Sequence, residues 1–199
     1  MWWKNTEECL PIGAKLLSLI LYSDATNVDT LGKSQLHPIY ITIGNIKKWR
    51  RNKPDAKQLL GYLPILSASD NSDKKSIKFK RAVREAFHNS LKVLLYPLLK
   101  SNNGIDLTIS DKTFWFFPRV SVVISDWPEA SMFCLTYKAY NSSHPCHFCL
   151  VSKDNLNKIN LQDNDTELRT HENMIEHFEQ DTNHSVSIEN ISNFFWNLP

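Results

Sequence analysis

The sequence predicts an α/β fold, and three patterns carry that prediction: two short apolar runs, each stopped by an aspartate, and between them one long segment with helical periodicity. The first run, Leu16 to Tyr22, is rich in strand formers and breaks at Ser23-Asp24; the second, Arg119 to Ser125, breaks at Asp126. Between them, Phe79, Val83, Phe87, Leu91, Leu94, Leu95 and Leu98 recur at three- and four-residue intervals, with Lys80, Arg84, Glu85 and Lys92 falling elsewhere. That spacing gathers the apolar groups on one face and predicts a helix over Ile77 to Lys100, with Pro97 stopping or bending its last turn.

The other elements follow from local chemistry. His37 to Asn45 alternates β-branched and aromatic residues and closes on Gly44-Asn45, which predicts a second strand after a polar link containing Gly32 and Lys33. Leu59 to Leu66 is apolar but punctuated by Gly61 and Pro64, which suits an edge strand or extended packing segment, and the polar run Ser67 to Lys75 reads as a loop. Asn102-Asn103-Gly104 signals a turn, and Asp106 to Phe117 suits a hairpin. Pro128-Glu129-Ala130 fits the first turn of a helix, because proline tolerates that position and a carboxylate complements the positive helix end. Beyond Tyr140 the composition turns to Asn, Ser, His and Cys, then to an acidic, Asn-rich stretch from Asp154 to Asp165. A helix is expected over Glu167 to Gln180, followed by an aromatic C-terminal segment from Ile188 to Pro199.

Composition excludes several classes. With 199 residues, 42% hydrophobic and 22% charged, the chain has material for a core and is neither disordered nor disulfide-stapled. No apolar run approaches the ~18 to 20 residues that cross a bilayer, so no membrane partner is expected. Glu7 and Glu8 interrupt the start before any long apolar stretch, which argues against a secretory signal. A reducing compartment, nucleus or cytoplasm, follows, and there the four cysteines are expected as thiols or metal ligands. A net charge of +2 is too mild to identify a nucleic-acid partner, so its distribution decides.

Three constellations could carry chemistry. Asp24 and Asp126, each at the end of a buried strand, would converge if the strands are neighbours, and oxygen-rich sites of that kind bind Mg²⁺ or Mn²⁺ for phosphoryl transfer; two independent turn caps fit the same residues. Lys47, Lys48, Trp49, Arg50, Arg51 and Lys53 gather five cations and one aromatic into a stretch that can neutralise phosphates and stack on a base, or form a solvated loop. Cys146 and Cys149 form a Cys-x-x-Cys pair that can reach one tetrahedral Zn²⁺ from a tight turn, with His144, His147, His171 and His177 as further candidates. A redox role and coincidence are the alternatives, although no thioredoxin-like context precedes the pair. Cys9 and Cys134 stand alone, and Cys134 sits in an apolar run that suits a buried thiol.

Read together, Tyr22-Ser23-Asp24-Ala25-Thr26, His37 to Ile46, Leu60-Gly61-Tyr62-Leu63-Pro64, Ser125 to Ala130, Cys146-x-x-Cys149, Leu168-Arg169-Thr170 and Asn193 to Pro199 resemble, in content and order, the Plavaka-type transposases of the CACTA/EnSpm superfamily. The resemblance implies an RNase H-like mixed sheet with flanking helices. In that core two aspartates and a later acid hold two divalent metals that activate water and then a DNA 3′ hydroxyl; Asp24 matches the first acid and Asp126 the second. A Cys-x-x-Cys zinc insertion, matched by Cys146 and Cys149, follows the second acid, and transposon-end DNA is the implied partner.

On this reading residues 1–140 form a partial transposase core and 141–199 the insertion with a helical remainder. The first three strands come from Leu16 to Tyr22, Pro38 to Ile43 and a segment near Leu60 to Leu66 or within Asp106 to Phe117, with Arg119 to Ser125 beside the first. In related transposases the third acid lies downstream of the Phe-Trp-x-Leu-Pro stretch, where this sequence stops. The expectation is therefore a fragment of a transposable-element enzyme with a core incomplete at its C-terminus, an exposed Phe194-Phe195-Trp196 edge and no transposition by itself. The alternative is a zinc-stabilised nucleic-acid or protein-binding module without catalysis.

Overall fold

The computed structural model describes residues 2–28, 35–139, 141–160 and 166–198. The link at Gly32 and Lys33, Tyr140, residues 161–165 of the acidic stretch and Pro199 lie outside the described residues. In chain order the main elements are α1 (Trp2–Glu8), β1 (Lys15–Ser23), β2 (Thr26–Asn27), β3 (Gln35–Leu36), β4 (Pro38–Ile43), α2 (Lys48–Arg51), β5 (Gln58–Tyr62), α3 (Asn71–Lys75), α4 (Ile77–Lys100), β6 (Ile105–Ile109), β7 (Lys112–Ile124), α5 (Trp127–Phe133) and α6 (His171–Glu179). The chain divides into two compact units, one of Met1–Ile65, Ser90–Ser125 and Asn197–Pro199, the other of Leu66–Asn89 and Asp126–Trp196.

The first unit is built on a five-stranded mixed sheet in the order β5-β4-β1-β7-β6. Strands β1, β4 and β5 form an antiparallel meander, while β7 lies parallel to β1. A parallel neighbour needs a long crossover, and the segment holding α4 supplies it. The strand expected beside the first is therefore there, but it is longer than its apolar core suggests. It begins at Lys112, pairs with β6 across Ser110-Asp111, where both residues take positive φ as a two-residue hairpin turn requires, and runs straight through Pro118. The third strand of the meander is the edge segment at Gln58–Tyr62, and Leu94 of α4 sits against Gly61, where a Cβ would crowd it.

A bulge shapes the centre of this sheet. The β1–β7 register slips between Leu19 and Ile20, leaving Ser121 as the extra residue. Beside it the buried positions of β1 change phase, from Leu16 and Ser18 to Leu19, Leu21 and Ser23. The polar groups left over are satisfied locally. The Ser121 hydroxyl donates to the Leu19 carbonyl (3.0 Å) and lies 2.7 Å from the Ser18 hydroxyl, while the Asn45 amide accepts from Ser18 N–H (2.9 Å) and donates to the Leu16 carbonyl (2.8 Å). Gly44 has to be glycine, since a Cβ there would collide with the Ser18 side chain. The turn read from Gly44-Asn45 is thus also a clamp on β1.

The second unit has little sheet. Single bridges join Thr136 to Ile188 and Cys149 to Leu168; its buried apolar residues include Phe87, Met132, Phe133, Leu135, Ile191 and Phe194, and Met174, Val186 and Ile188 form a cluster with Leu150 and Trp196 against it. Three expectations are corrected here. The Ser67 to Lys75 loop contains α3, because Asp70 accepts from Asp73 N–H (2.8 Å) and caps it. The late helix starts at His171 rather than Glu167, because Thr170 and Asn173 close a reciprocal capping box. The Phe194-Phe195-Trp196 segment is no exposed edge: Phe194 is 4% exposed, its two neighbours are half-buried, and Phe195 and Trp196 meet Phe133 and Phe178 edge to face or tilted.

Candidate metal centre and nucleic-acid surface

The two aspartates follow paired strand ends. Tyr22 of β1 lies opposite Ile124 of β7 in the parallel register, and each strand runs two residues further to its aspartate. Both side chains are exposed. Asp24 accepts a hydrogen bond from the Tyr22 hydroxyl at 3.2 Å, and Asp126 accepts from Glu129 N–H at 2.8 Å as the N-cap of α5, with Pro128 in its first turn. The turn-cap reading of Asp126 is therefore a fact of the structure, and it occupies one carboxylate oxygen. Hard divalent cations take carboxylate oxygens, so two carboxylates fit them in kind; among the described residues no group of three His, Cys, Asp or Glu is arranged around one metal position.

The basic stretch is a short helix. Lys48, Trp49, Arg50 and Arg51 form α2, and its cations have different tasks. Arg50 makes a fork-to-carboxylate pair with Asp55 at 2.9 and 2.7 Å, which raises its own affinity for a proton and lowers that of Asp55 through the hydrogen bonds first. Arg51 donates to the Gly44 carbonyl (3.3 Å), and Trp49 is 66% exposed. Lys48 and Arg51, with Lys57, border a cavity of about 700 Å³ in the sheet unit whose floor includes Tyr22, Tyr40 and Ile124.

Around the Cys-x-x-Cys pair, Phe148 N–H donates to Cys146 Sγ at 3.3 Å. Burial above all pushes the Cys149 thiol up, and its hydrogen bond with Cys146 adds to this. Cys134 is also close enough to feel Cys146, but burial is the main reason its thiol is pushed up to about 11. All four cysteines are free thiols. The Nδ1 atoms of His144 and His147 are buried without a partner, whereas His177 Nδ1 is engaged with Thr182 (2.8 Å) and His171 is exposed at the start of α6. Burial, then Arg169, depresses the His147 pKa, and its ring sits between Trp127 and Phe148 at 4.4 and 4.3 Å. Two thiols and two histidines of one loop fit zinc in donor type, but among the described residues no three of them are grouped around one metal position.

Two residues organise the second unit in ways that local sequence chemistry does not reveal. Arg169 donates to the carbonyls of Cys146 (2.9 Å), His144 (3.0 Å) and Val186 (2.7 Å) and touches Met174 Sδ (3.3 Å), so it holds the Cys-x-x-Cys loop from inside. His88 is 3% exposed; its Nε2 donates to the Met132 carbonyl (3.0 Å) and its Nδ1 accepts from Phe194 N–H (3.2 Å), a neutral ring whose pKa burial lowers to about 4. Glu129 is likewise buried at 7% exposure, although its place in a first helical turn suggests only a surface charge.

No helix among the described residues is long and apolar enough to cross a membrane. No curated protein matches the chain. The family model described as Plavaka transposase matches it over residues 1–199, the full span that holds both strand-end aspartates, the basic helix and the cysteine pair, and the chain therefore belongs to the Plavaka transposase family.

Proposed function

We propose that the chain supplies part of the catalytic core of a DDE-type transposase of the CACTA/EnSpm superfamily, in an RNase H-like arrangement, with Asp24 and Asp126 as two of its metal-holding acids. The observation that carries this is the register: parallel neighbours β1 and β7 pair Tyr22 with Ile124 and each delivers an aspartate two residues on. A bound Mg²⁺ or Mn²⁺ would lower the pKa of a water nucleophile and stabilise charge on the phosphate in flight. The chain's own part is to hold that ion through Asp24 and Asp126, with the Tyr22 hydroxyl orienting Asp24 and the α5 backbone orienting Asp126. DNA is the substrate class, met by the cations of α2, and cleavage by this chain alone is expected to be undetectable because only two of the acids are assigned. Mn²⁺ titration followed by electron paramagnetic resonance tests the pair. Wild type should bind Mn²⁺, and Asp24→Asn with Asp126→Asn, which keeps a capping side chain, should lose that binding; unchanged binding in the double variant sinks the proposal.

A second reading, a zinc-stabilised binding module, is favoured by one observation: the adjoining Cys146 and Cys149 thiols lie in a loop that also buries two unpartnered histidine nitrogens, His144 Nδ1 and His147 Nδ1. His171, exposed on α6, is the remaining candidate ligand. Metal analysis of protein purified without chelator decides it, and absence of zinc at any stoichiometry removes this reading.

A further inference from the structure

We infer that the cavity beside α2 is a seat for one unpaired nucleotide of a DNA strand, its base resting on Tyr22 and Tyr40 and its phosphates facing Lys48, Arg51 and Lys57. This rests on the reading of the chain as a protein that acts on DNA, and it names which form of DNA the sheet unit takes. In the register Tyr40, Tyr22 and Ile124 lie directly across from one another on β4, β1 and β7, so they form one row on one face of the sheet. The two tyrosine rings are 6.4 Å apart and tilted by 41°, and Tyr22 is 42% exposed. The cations come from another direction, α2 and the turn before β5, and among the described residues no carboxylate lines the space. A volume of about 700 Å³ falls within the ~300 to 1,000 Å³ of pockets that enclose a small molecule.

An aromatic row under a rim of three cations fits a ligand with a flat apolar face and an anionic edge. In a duplex the faces of the bases are covered by their neighbours, so only an unstacked nucleotide can present one to the tyrosines. Location adds a second argument. The Tyr22 hydroxyl donates to Asp24, so the central member of the row adjoins the first proposed acid, and a base seated on the row would lie beside that end of the sheet. The split within the basic stretch agrees: Arg50 is held by Asp55, whereas Lys48 and Arg51 border the cavity.

The test is fluorescence anisotropy of labelled oligonucleotides with the 199-residue chain in EDTA, so that metal binding plays no part. A single strand should bind more tightly than a duplex of the same sequence. Replacing both Tyr22 and Tyr40 by Leu should weaken single-strand binding by about 5- to 100-fold, while Phe at both positions should retain it. Lys48→Ala with Arg51→Ala should lower the slope of log K against log salt by about 1.4, at ~0.7 per single-strand phosphate contact. The inference is overturned by equal or tighter duplex binding, by tighter binding of RNA of the same sequence, by no binding at all, or by a folded Leu double variant that binds like wild type. Circular dichroism establishes that the variants are folded. Single-strand binding in EDTA alongside Mn²⁺ binding indifferent to Asp24 and Asp126 would leave the nucleotide seat standing and remove the metal proposal, and the reverse pattern would do the opposite.

Discussion

In the sheet unit, most backbone groups of the core pair strand to strand, and side chains assist locally, at the β1–β7 bulge through Ser18, Ser121 and Asn45 and outside it through single bonds such as Thr42 to the Ala56 carbonyl at 2.7 Å. In the second unit, buried carbonyls and amides are met by individual side chains: Arg169 serves three carbonyls, His88 one carbonyl and one amide, and Asn193 the Phe133 carbonyl at 2.8 Å. The difference teaches where each unit is vulnerable. A ladder spreads its hydrogen bonds over many residues and leaves apolar volume as the sensitive quantity, whereas an irregular chain concentrates them on a few polar side chains whose loss strands several buried groups together.

The largest expected effect is therefore at Arg169. Arg169→Ala should destabilise the second unit by about 4 kcal/mol, since it leaves three carbonyls without their donor. Amide exchange localises the loss: protection should fall in α6 and residues 183–188 while β1 amides hold. Equal loss in both regions would mean that the two units open as one and would break the contrast.

Next is apolar volume in the sheet. Leu21 is fully buried, and Leu21→Ala should cost about 3 kcal/mol in denaturant unfolding, read most strongly in β1 and β7 amides. A cost below about 1 kcal/mol would show that the sheet core collapses around the cavity and that volume is not its sensitive quantity.

The smallest of the three is a pH effect that belongs to the second unit. The His88 pKa is lowered by burial to about 4, so between roughly 6.5 and 4 the unfolded chain binds a proton that the folded chain refuses. The stabilisation is complete above the unfolded value and is lost as pH falls through that window, about 2 kcal/mol of it between pH 7 and pH 5. Denaturant midpoints against pH measure the slope. His88→Gln, which cannot titrate, should flatten it, and an unchanged slope would assign the effect to other groups.

Much of the sheet is legible in the sequence. Leu16 to Tyr22, Pro38 to Ile43 and the helix Ile77 to Lys100 could be read because period-two and period-3.6 burial write themselves into local spacing. Residue counts could not show that β7 runs back through Pro118 to Lys112, because proline marks an edge or a bulge and only the pairing partners reveal which. Among candidate site residues, Asp24, Asp126, Cys146 and Cys149 stood out by type and position. Tyr22 and Tyr40 did not, since their partnership exists only through the β1–β4 register. The buried roles of Arg169 and His88 are not legible either, because their acceptors lie far along the chain, 23 and 44 residues away in the cases of Cys146 and Met132.

By itself, then, the sequence determined the strand and helix periods, the aspartate after each apolar run, the cysteine pair and the family, all properties of neighbouring residues or of their order. Tertiary structure decided that β1 and β7 are parallel partners, that Arg50 answers to Asp55 while Lys48 and Arg51 border a tyrosine-floored cavity, and that the aromatic C-terminal segment is core. The physical reason is that hydrogen-bond satisfaction and burial depend on which distant segments meet, and those meetings are set by the packing of the whole chain.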